Sequence, residues 1–457
     1  MREFELELDE YFKNGLRLDE SNPVGSPFLV ELKNARPSVL GLRPYVATSL
    51  PYDSEQSFYV TDHVVRWPFP QVFFTKKYRL VGTKERMYVA NDLGKLTSLF
   101  GYDSTERWDL ADMGEYMLAA KDGTAVWERA ITGGWGPSAD IPLCRSLIDL
   151  NGQVFVGGLS PWGTWTDLSE RHVAWSDIGS SKFTLDRRNE AGYREYDFSG
   201  PIVEVKKLGQ VAVVYGYNGI AAFQPIADPA PTFAYKNIAK VGLYNKGAVA
   251  GSDEEHCFVG SDGYIYKLNS QLKLTKVGYQ EYMTQLSNGT VIVNYDSSEG
   301  DYYFSDGVKS FLLTDNGLAE IFQRISTLEY YNGVKYGVSS DDTDSSFLAV
   351  TDRVDFGLRG RKSIECFESA TQGGGSLSAA IDWRNSASEA FRRTSFVPFS
   401  DQGVANIKVS ASEFRFVLKC TNYTDALVGS VKVRYKLEDM RSIRGIYAPP
   451  PRGQYAG

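Results

Sequence analysis

Histidine and cysteine are scarce in this chain, and the few present stand in no metal-ligand spacing. The three histidines, His63, His172 and His256, form neither H-x-x-H nor H-E-x-x-H, which argues against a zinc hydrolase. The four cysteines, Cys144, Cys257, Cys366 and Cys420, are far apart with no C-x-x-C. A zinc knuckle or a disulfide framework is therefore not expected. No apolar run reaches the roughly 18 residues of a membrane-crossing helix, and MREFELELDEYF has no apolar core of signal-peptide length. The expectation is a soluble protein without secretion signal or membrane insertion, made in a reducing compartment. An excess of basic charge is lacking too. Lys and Arg total 49 against 57 Asp and Glu, a formal charge of −8, whereas surfaces that grip nucleic-acid phosphates are basic.

Catalytic signatures are equally thin. No G-x-S-x-G elbow or Walker lysine loop occurs, and Gly373-Gly374-Gly375 runs into a strand pattern rather than a helix. His256 adjoins Cys257, but neighbouring strand residues point to opposite faces, a poor arrangement for proton transfer. Asp341, Asp342 and Asp344 lack the glycine and terminal glutamate of a calcium loop. The basic phrases Arg187-Arg188, Arg359-Gly360-Arg361-Lys362 and Arg392-Arg393 are short and separated, as solvated strand ends are. No catalytic, cofactor-binding or metal-binding residue is assigned, no cofactor is expected, and the protein is read as a non-enzyme.

What the chain does have is aromatic residues, 28 Tyr and 25 Phe, and a succession of strand–turn–strand phrases. Aromatic residues suit strands. Pro201–Lys206, Gln210–Gly216 and Ile220–Pro225 are short apolar runs separated by Leu208-Gly209 and Tyr217-Asn218-Gly219. An Asn-Gly pair between such runs is a strong hairpin signal, because a type I′ turn needs positive φ at both central residues. Similar phrases recur between residues 67 and 338. Phe73–Val81 and Arg86–Ala90 are followed by Glu115–Ala120 and Ala125–Ala130, then by Ser146–Leu150 and Gln153–Gly157. Glu255–Val259 with Tyr264–Leu268, Tyr282–Leu286 with Thr290–Tyr295, Asp301–Ser305 with Val308–Leu313, and Leu328–Tyr331 with Val334–Val338 complete the series. A lone meander sheet cannot bury both faces, whereas several packed around an axis can. The expected fold is all-β: a β-propeller of five to seven blades, with a sandwich or solenoid of the same hairpins as the alternative.

At 457 residues the chain exceeds one ordinary core, and its pattern changes at both ends. Residues 1–66 are dense in proline and turn pairs and read as an extended N-terminal arm. Residues 339–346 are short, polar and acidic, a linker. Residues 347–445 alternate apolar and polar positions, as in Phe414, Phe416, Leu418 and Val431, Val433, Tyr435, which predicts a C-terminal β-sandwich. Residues 446–457 form a proline-led tail.

One stretch resembles an enzyme motif. Trp175-Ser176-Asp177-Ile178-Gly179-Ser180-Ser181-Lys182-Phe183 is similar to the Asp-box of sialidases, with Ser176 and Asp177 adjacent where that motif spaces them and Lys182 where it has threonine. This keeps open a carbohydrate-binding or glycoside-hydrolysing propeller, for which Trp127, Trp135, Trp162 and Trp165 are the aromatic candidates. A cellular propeller scaffold is a third reading.

A broader resemblance spans the chain. Val173–Leu185 and the phrase GPIVEVKKLGQVAVVYGYNGI at Gly200–Ile220 resemble the propeller core of the tail-nozzle, or packaged-DNA-stabilisation, proteins of short-tailed bacteriophages. Asn34-Ala35-Arg36 and Gly41-Leu42-Arg43-Pro44 resemble their opening, and Asp355–Ile364 with Val431–Gly445 their closing sandwich. The resemblance implies a structural virion protein, assembled in the bacterial host cytoplasm. It implies a homohexameric ring below the portal and adaptor, in contact with tail fibre or needle proteins. That ring retains the packaged genome and gives the double-stranded DNA an exit channel without sequence-specific binding. An acidic lumen would let phosphate slide without sticking.

Overall fold

The computed structural model describes residues 3–17, 27–45, 59–60, 63–64 and 71–438, apart from short gaps at 76–77, 92–94, 102–103, 105, 122, 131–132, 187, 227–231, 287–288, 332–333, 340–345, 358–359, 373–375 and 423–426. The acidic linker with Asp341, Asp342 and Asp344, the Gly373–Gly375 loop and the proline-led tail lie outside the described residues. The chain divides into two compact units. One comprises residues 1–46, 313–322 and 343–457, and the other residues 47–312 and 323–342.

The second unit is a β-propeller. Five four-stranded antiparallel sheets follow one another in sequence. Their first strands are Gln71–Phe74, Asp109–Asp112, Cys144–Leu150, Ile202–Leu208 and Val249–Gly251. A sixth group begins with Ile292–Asp296 paired to Asp301–Ser305, and a seventh is the pair Ile325–Tyr331 and Val334–Ser339. The ring closes where Ile325–Tyr331 packs against Gln71–Phe74, so seven inner strands surround one axis among the described residues.

Local sequence explains most of these elements. The hairpin between Cys144–Leu150 and Gln153–Leu159 turns at Asn151 and Gly152 with φ of 53° and 80°, the geometry that an Asn-Gly turn supplies. The Tyr217-Asn218-Gly219 loop differs from expectation, because neither Asn218 nor Gly219 has positive φ. The loop closes through Gly216 N–H donating to the Gly219 carbonyl at 2.9 Å. Gly219 is required for another reason, since a Cβ there would overlap the Phe198 ring. Phe73–Val81, read as one run, is two strands, Gln71–Phe74 and Arg79–Gly82. Tyr282–Leu286, read as a strand, holds the end of a short helix, Gln280–Met283. Tyr282, Met283 and Leu286 are all buried, the spacing of one helix face rather than of a strand.

Hydrophobic contacts between neighbouring sheets build the propeller core. Phe155 lies 5.3 Å from Phe223 and 6.1 Å from Trp175 between the third and fourth blades. Between the first and second blades, Phe100 stacks on Trp127 at 4.6 Å and meets Trp108 edge-on at 5.7 Å.

The first unit is a β-sandwich built from both ends of the chain. One sheet runs in the order Gly317–Ile321, Leu29–Lys33, Ser346–Thr351, Glu413–Thr421, Ser376–Arg384. The other runs Ala35–Ser38, Gly41–Pro44, Leu427–Leu437, Lys362–Gln372, Val404–Ala411, with Glu3–Glu7 also paired to Leu427–Leu437. The faces meet at Phe367 and Phe416, 5.6 Å apart, and at Phe356, stacked on Tyr435 at 4.0 Å. The N-terminal segment, expected as an extended arm, supplies strands that complete these two sheets and a short helix, Asp9–Lys13. Pairing satisfies backbone groups that a free arm would leave to water.

The first strand is also held by charge. Glu3 meets Lys436 at 3.0 Å, Glu7 meets Lys432 at 3.3 Å, and Arg434 lies 3.8 Å from Glu5 and 2.8 Å from Glu368. The hydrogen bond and charge of Lys436 lower the Glu3 pKa below the ordinary glutamate value. A carboxylate whose folded pKa is depressed stabilises above its unfolded pKa and loses that contribution as pH falls through the folded value. Amide protection at residues 3–7, the intrinsic rate at each pH divided by the observed rate, is therefore expected to fall both in 1 M salt, on the order of a 3 Å Debye length, and below the ordinary glutamate pKa. Unchanged protection under both conditions would mean that backbone pairing and the Phe4–Tyr435 stack hold the strand alone.

Candidate functional site

Six of the seven inner strands carry a buried polar side chain that reaches a neighbouring blade, and a backbone carbonyl serves the remaining junction. Gln71 donates to the Trp108 carbonyl at 2.9 Å and accepts from Trp108 N–H at 2.6 Å. Asp109 accepts from Leu147 N–H at 3.3 Å, and Ser146 Oγ accepts from Val205 N–H at 2.9 Å. Glu204 accepts from Gly247 N–H at 2.7 Å, and the Gly247 carbonyl accepts from Val293 N–H at 2.9 Å. Asn294 donates to the Ile325 carbonyl at 3.2 Å, and Thr327 Oγ1 accepts from Val72 N–H at 3.5 Å. These contacts tie each of the seven junctions once around the ring. The side chains involved are buried, so each bond is shielded and its loss leaves a buried polar group unpaired. Ser146→Ala is expected to destabilise the propeller by about 1–3 kcal/mol through the stranded Val205 N–H, read from chemical denaturation. A loss below about 0.5 kcal/mol, the ordinary surface range, would mean that the serine is not a clasp.

Inside the ring lies a cavity of about 510 Å³, lined from all seven inner strands. Its charged groups are Arg107, Asp109, Glu204, Lys206, Lys207 and Glu329. Two of its carboxylates are fully engaged. Asp109 pairs with Lys246 at 3.2 Å, both side chains nearly sealed, and Lys246 also donates to the Arg145 carbonyl at 2.6 Å. Glu204 pairs with Lys206 at 2.8 Å through one oxygen and takes Gly247 N–H with the other. Burial works against the Lys206 ammonium, but Glu204 and Asp109 more than offset it and raise its pKa.

Glu329 and Arg107 differ from these pairs. Glu329 is open to the water of the lumen yet walled by protein. Burial pushes its pKa up to about 7, against the pull of Lys206 and Arg107. The half-buried Arg107 has its pKa brought down to about 10 by burial and remains a cation at neutral pH.

The residues singled out in the sequence have structural surroundings. Tyr215 Oη and the Lys207 carbonyl each lie 2.9 Å from a ring nitrogen of His256, and burial lowers the histidine's pKa to about 4. The ring is thus neutral, accepting from tyrosine and donating to the carbonyl. Cys257 is sealed, and burial raises its pKa. Burial pushes the Cys144 thiol up to about 12. His172 Nδ1 contacts Ser169, and the His63 side chain lies outside the described residues. The Asp-box-like stretch joins the third and fourth strands of its blade. Ser176 Oγ accepts from Val154 N–H at 2.8 Å and Phe183 is fully buried. Trp127 and Trp135 pack on Phe100, and Trp165 lies between Trp162 and Tyr193. No group of His, Cys, Asp and Glu fit to hold a metal occurs among the described residues. The clasp residues escaped the sequence reading because isolated Gln, Ser, Asn and Thr in strands carry no motif. Their only signal is a polar residue interrupting an apolar inner strand.

No family model matches the chain, and no curated protein matches it significantly. Among solved structures it is similar to the WD40 domain of Pan2 from Neurospora crassa, at 8% identity over 62% of this chain and 85% of that one, TM-score 0.37. It is also similar to BamB from Moraxella catarrhalis, at 9% identity over 61% of this chain and 92% of that one, TM-score 0.31. The computationally designed Ika8 protein matches at 13% identity over 80% and 96%, TM-score 0.35. The class of protein is set by its own geometry: a β-propeller with an attached β-sandwich.

Proposed function

We propose that this protein is a structural virion component, the tail nozzle of a short-tailed bacteriophage. Several copies form a ring below the portal and adaptor, and that ring retains packaged DNA until it leaves through the channel. The observation that supports this reading best is the closed circuit of hydrogen bonds around the propeller. A wall that meets DNA under pressure must hold its shape, and a toroid tied at every junction resists the parting of its blades. Asp109 and Glu204 are spent on ion pairs and backbone N–H groups, which suits a scaffold better than catalytic turnover. The phrases at Val173–Leu185 and Gly200–Ile220 point the same way, and the net charge of −8 suits a passage for phosphate-rich polymer.

The test is mass photometry and negative-stain imaging of the full chain, alone and with a purified portal–adaptor complex. A sixfold ring seated on that complex is the expected result. Free monomers in its presence would overturn the proposal. Binding on a glycan array, lost on Trp162→Ala, would carry the carbohydrate reading instead.

A further inference from the structure

The propeller cavity holds more positive charge than its carboxylates neutralise. Asp109 and Glu204 are matched by Lys246 and Lys206, and His256 is neutral with both nitrogens engaged. Arg107 is left over. Its guanidinium offers five N–H donors, and its one hydrogen bond among the described residues is a long one, from Nη1 to the Ser326 carbonyl at 3.4 Å. Arginine cannot shed its charge to escape burial, so a half-buried guanidinium facing a cavity is stabilised by an anion. The exposed Lys207 adds charge of the same sign.

From this arrangement we infer that the axial cavity is a binding site for a small oxyanion, seated on Arg107 with Lys206 beside it. Planar N–H forks match tetrahedral and carboxylate oxyanions. The volume of about 510 Å³ leaves room for hydrating water or for the rest of a small phosphorylated or sulfated molecule, but not for a nucleic-acid duplex. This inference is independent of ring assembly and of the tail-nozzle reading.

Glu329 makes occupancy depend on pH. Ionised, it supplies the missing negative charge and repels the ligand; protonated, it leaves Arg107 uncompensated and can donate a hydrogen bond. The groups around it are few. Strand Gln71–Phe74 has no charged side chain. The neighbouring strands bring Asp296, bonded to Ser298, and the buried Asp301. Side chains of residues 334–339 lie outside the described residues. Arg107 and Lys206 are the cations that act on Glu329.

The experiment is isothermal titration of the full chain with sodium sulfate at pH 6 and pH 8, ionic strength held with chloride. Sulfate stays dianionic at both, so any pH effect belongs to the protein. Saturable binding is expected at pH 6, weakened several-fold at pH 8. Glu329→Gln is expected to bind at pH 8 as the wild type does at pH 6. Arg107→Gln, with its fold checked by circular dichroism, is expected to lose about tenfold or more, in line with one charge-assisted contact. A parallel titration with glycerol phosphate separates the sources, since tighter binding than sulfate marks an organic phosphate as the ligand. The inference falls if the wild type shows no saturable binding at pH 6, or if folded Arg107→Gln binds unchanged. Should that variant not fold, the Glu329→Gln profile decides alone: a pH dependence equal to wild type overturns the site.

Discussion

Replacing Asp109 with alanine is expected to cost the propeller about 3–5 kcal/mol, the range for breaking a buried ion pair. The Asp109 carboxylate accepts from Lys246 at 3.2 Å and from Leu147 N–H at 3.3 Å. The Lys246 side chain is only 2% exposed, so without its partner it keeps a buried charge that water cannot reach. The loss should far exceed that from Ser146→Ala, where one neutral bond is at stake. The double variant Asp109→Leu with Lys246→Met should recover much of the stability, because removing both charges also removes the cost of burying them. Denaturant midpoints of the three proteins, with hydrogen exchange at residues 144–150, decide the matter. An alanine variant as stable as wild type would show that Lys246 finds another counter-charge. A double variant as weak as the single would assign the loss to packing.

Trp108→Ala should cost a similar amount, about 3–5 kcal/mol, the usual price of emptying a large buried aromatic site. Trp108 is 1% exposed and fills the gap between the first two blades. Gly82 faces its ring so closely that a Cβ there would lie 2.7 Å from Cδ1. The indole N–H donates to the Thr83 carbonyl at 2.8 Å, and its face lies 4.8 Å from the buried Lys121 ammonium. Alanine thus leaves a void and strips Lys121 of its aromatic face. Trp108→Phe keeps most of the volume and should lose about 0.5–1.5 kcal/mol, the net worth of one hydrogen bond, because the Thr83 carbonyl still accepts from Lys121 at 3.1 Å. Far-ultraviolet circular dichroism in denaturant measures both without relying on the deleted fluorophore. Equal losses for alanine and phenylalanine would place the effect in the hydrogen bond rather than the volume.

Much of the architecture was legible in the chain because it rests on local physics. The strand expected at Ile220–Pro225 is present with those bounds, and the alternating positions Phe414, Phe416, Leu418 and Val431, Val433, Tyr435 fall in the strands Glu413–Thr421 and Leu427–Leu437. Period-two burial and turn chemistry act over a handful of residues, so a linear reading can find them. Turn chemistry misled at Asn218-Gly219, where the glycine answers to the Phe198 ring, a contact no local window contains. It misled again at Tyr282–Leu286, where one turn of helix buries the residues that a strand was expected to carry.

Sequence alone determined that this protein is all-β, built from successive hairpins, with an alternating C-terminal region and no recognisable catalytic motif. Those properties follow from side-chain periodicity and residue type, which each segment carries with it. Tertiary structure alone decided that Gln71, Asp109, Ser146, Glu204, Asn294 and Thr327 bind blade to blade, and that Arg107, Lys206 and Glu329 share one cavity. Those groups meet only because ring closure brings strands 31 to 255 residues apart to a common axis, and electrostatic interactions depend on that distance rather than on separation along the chain.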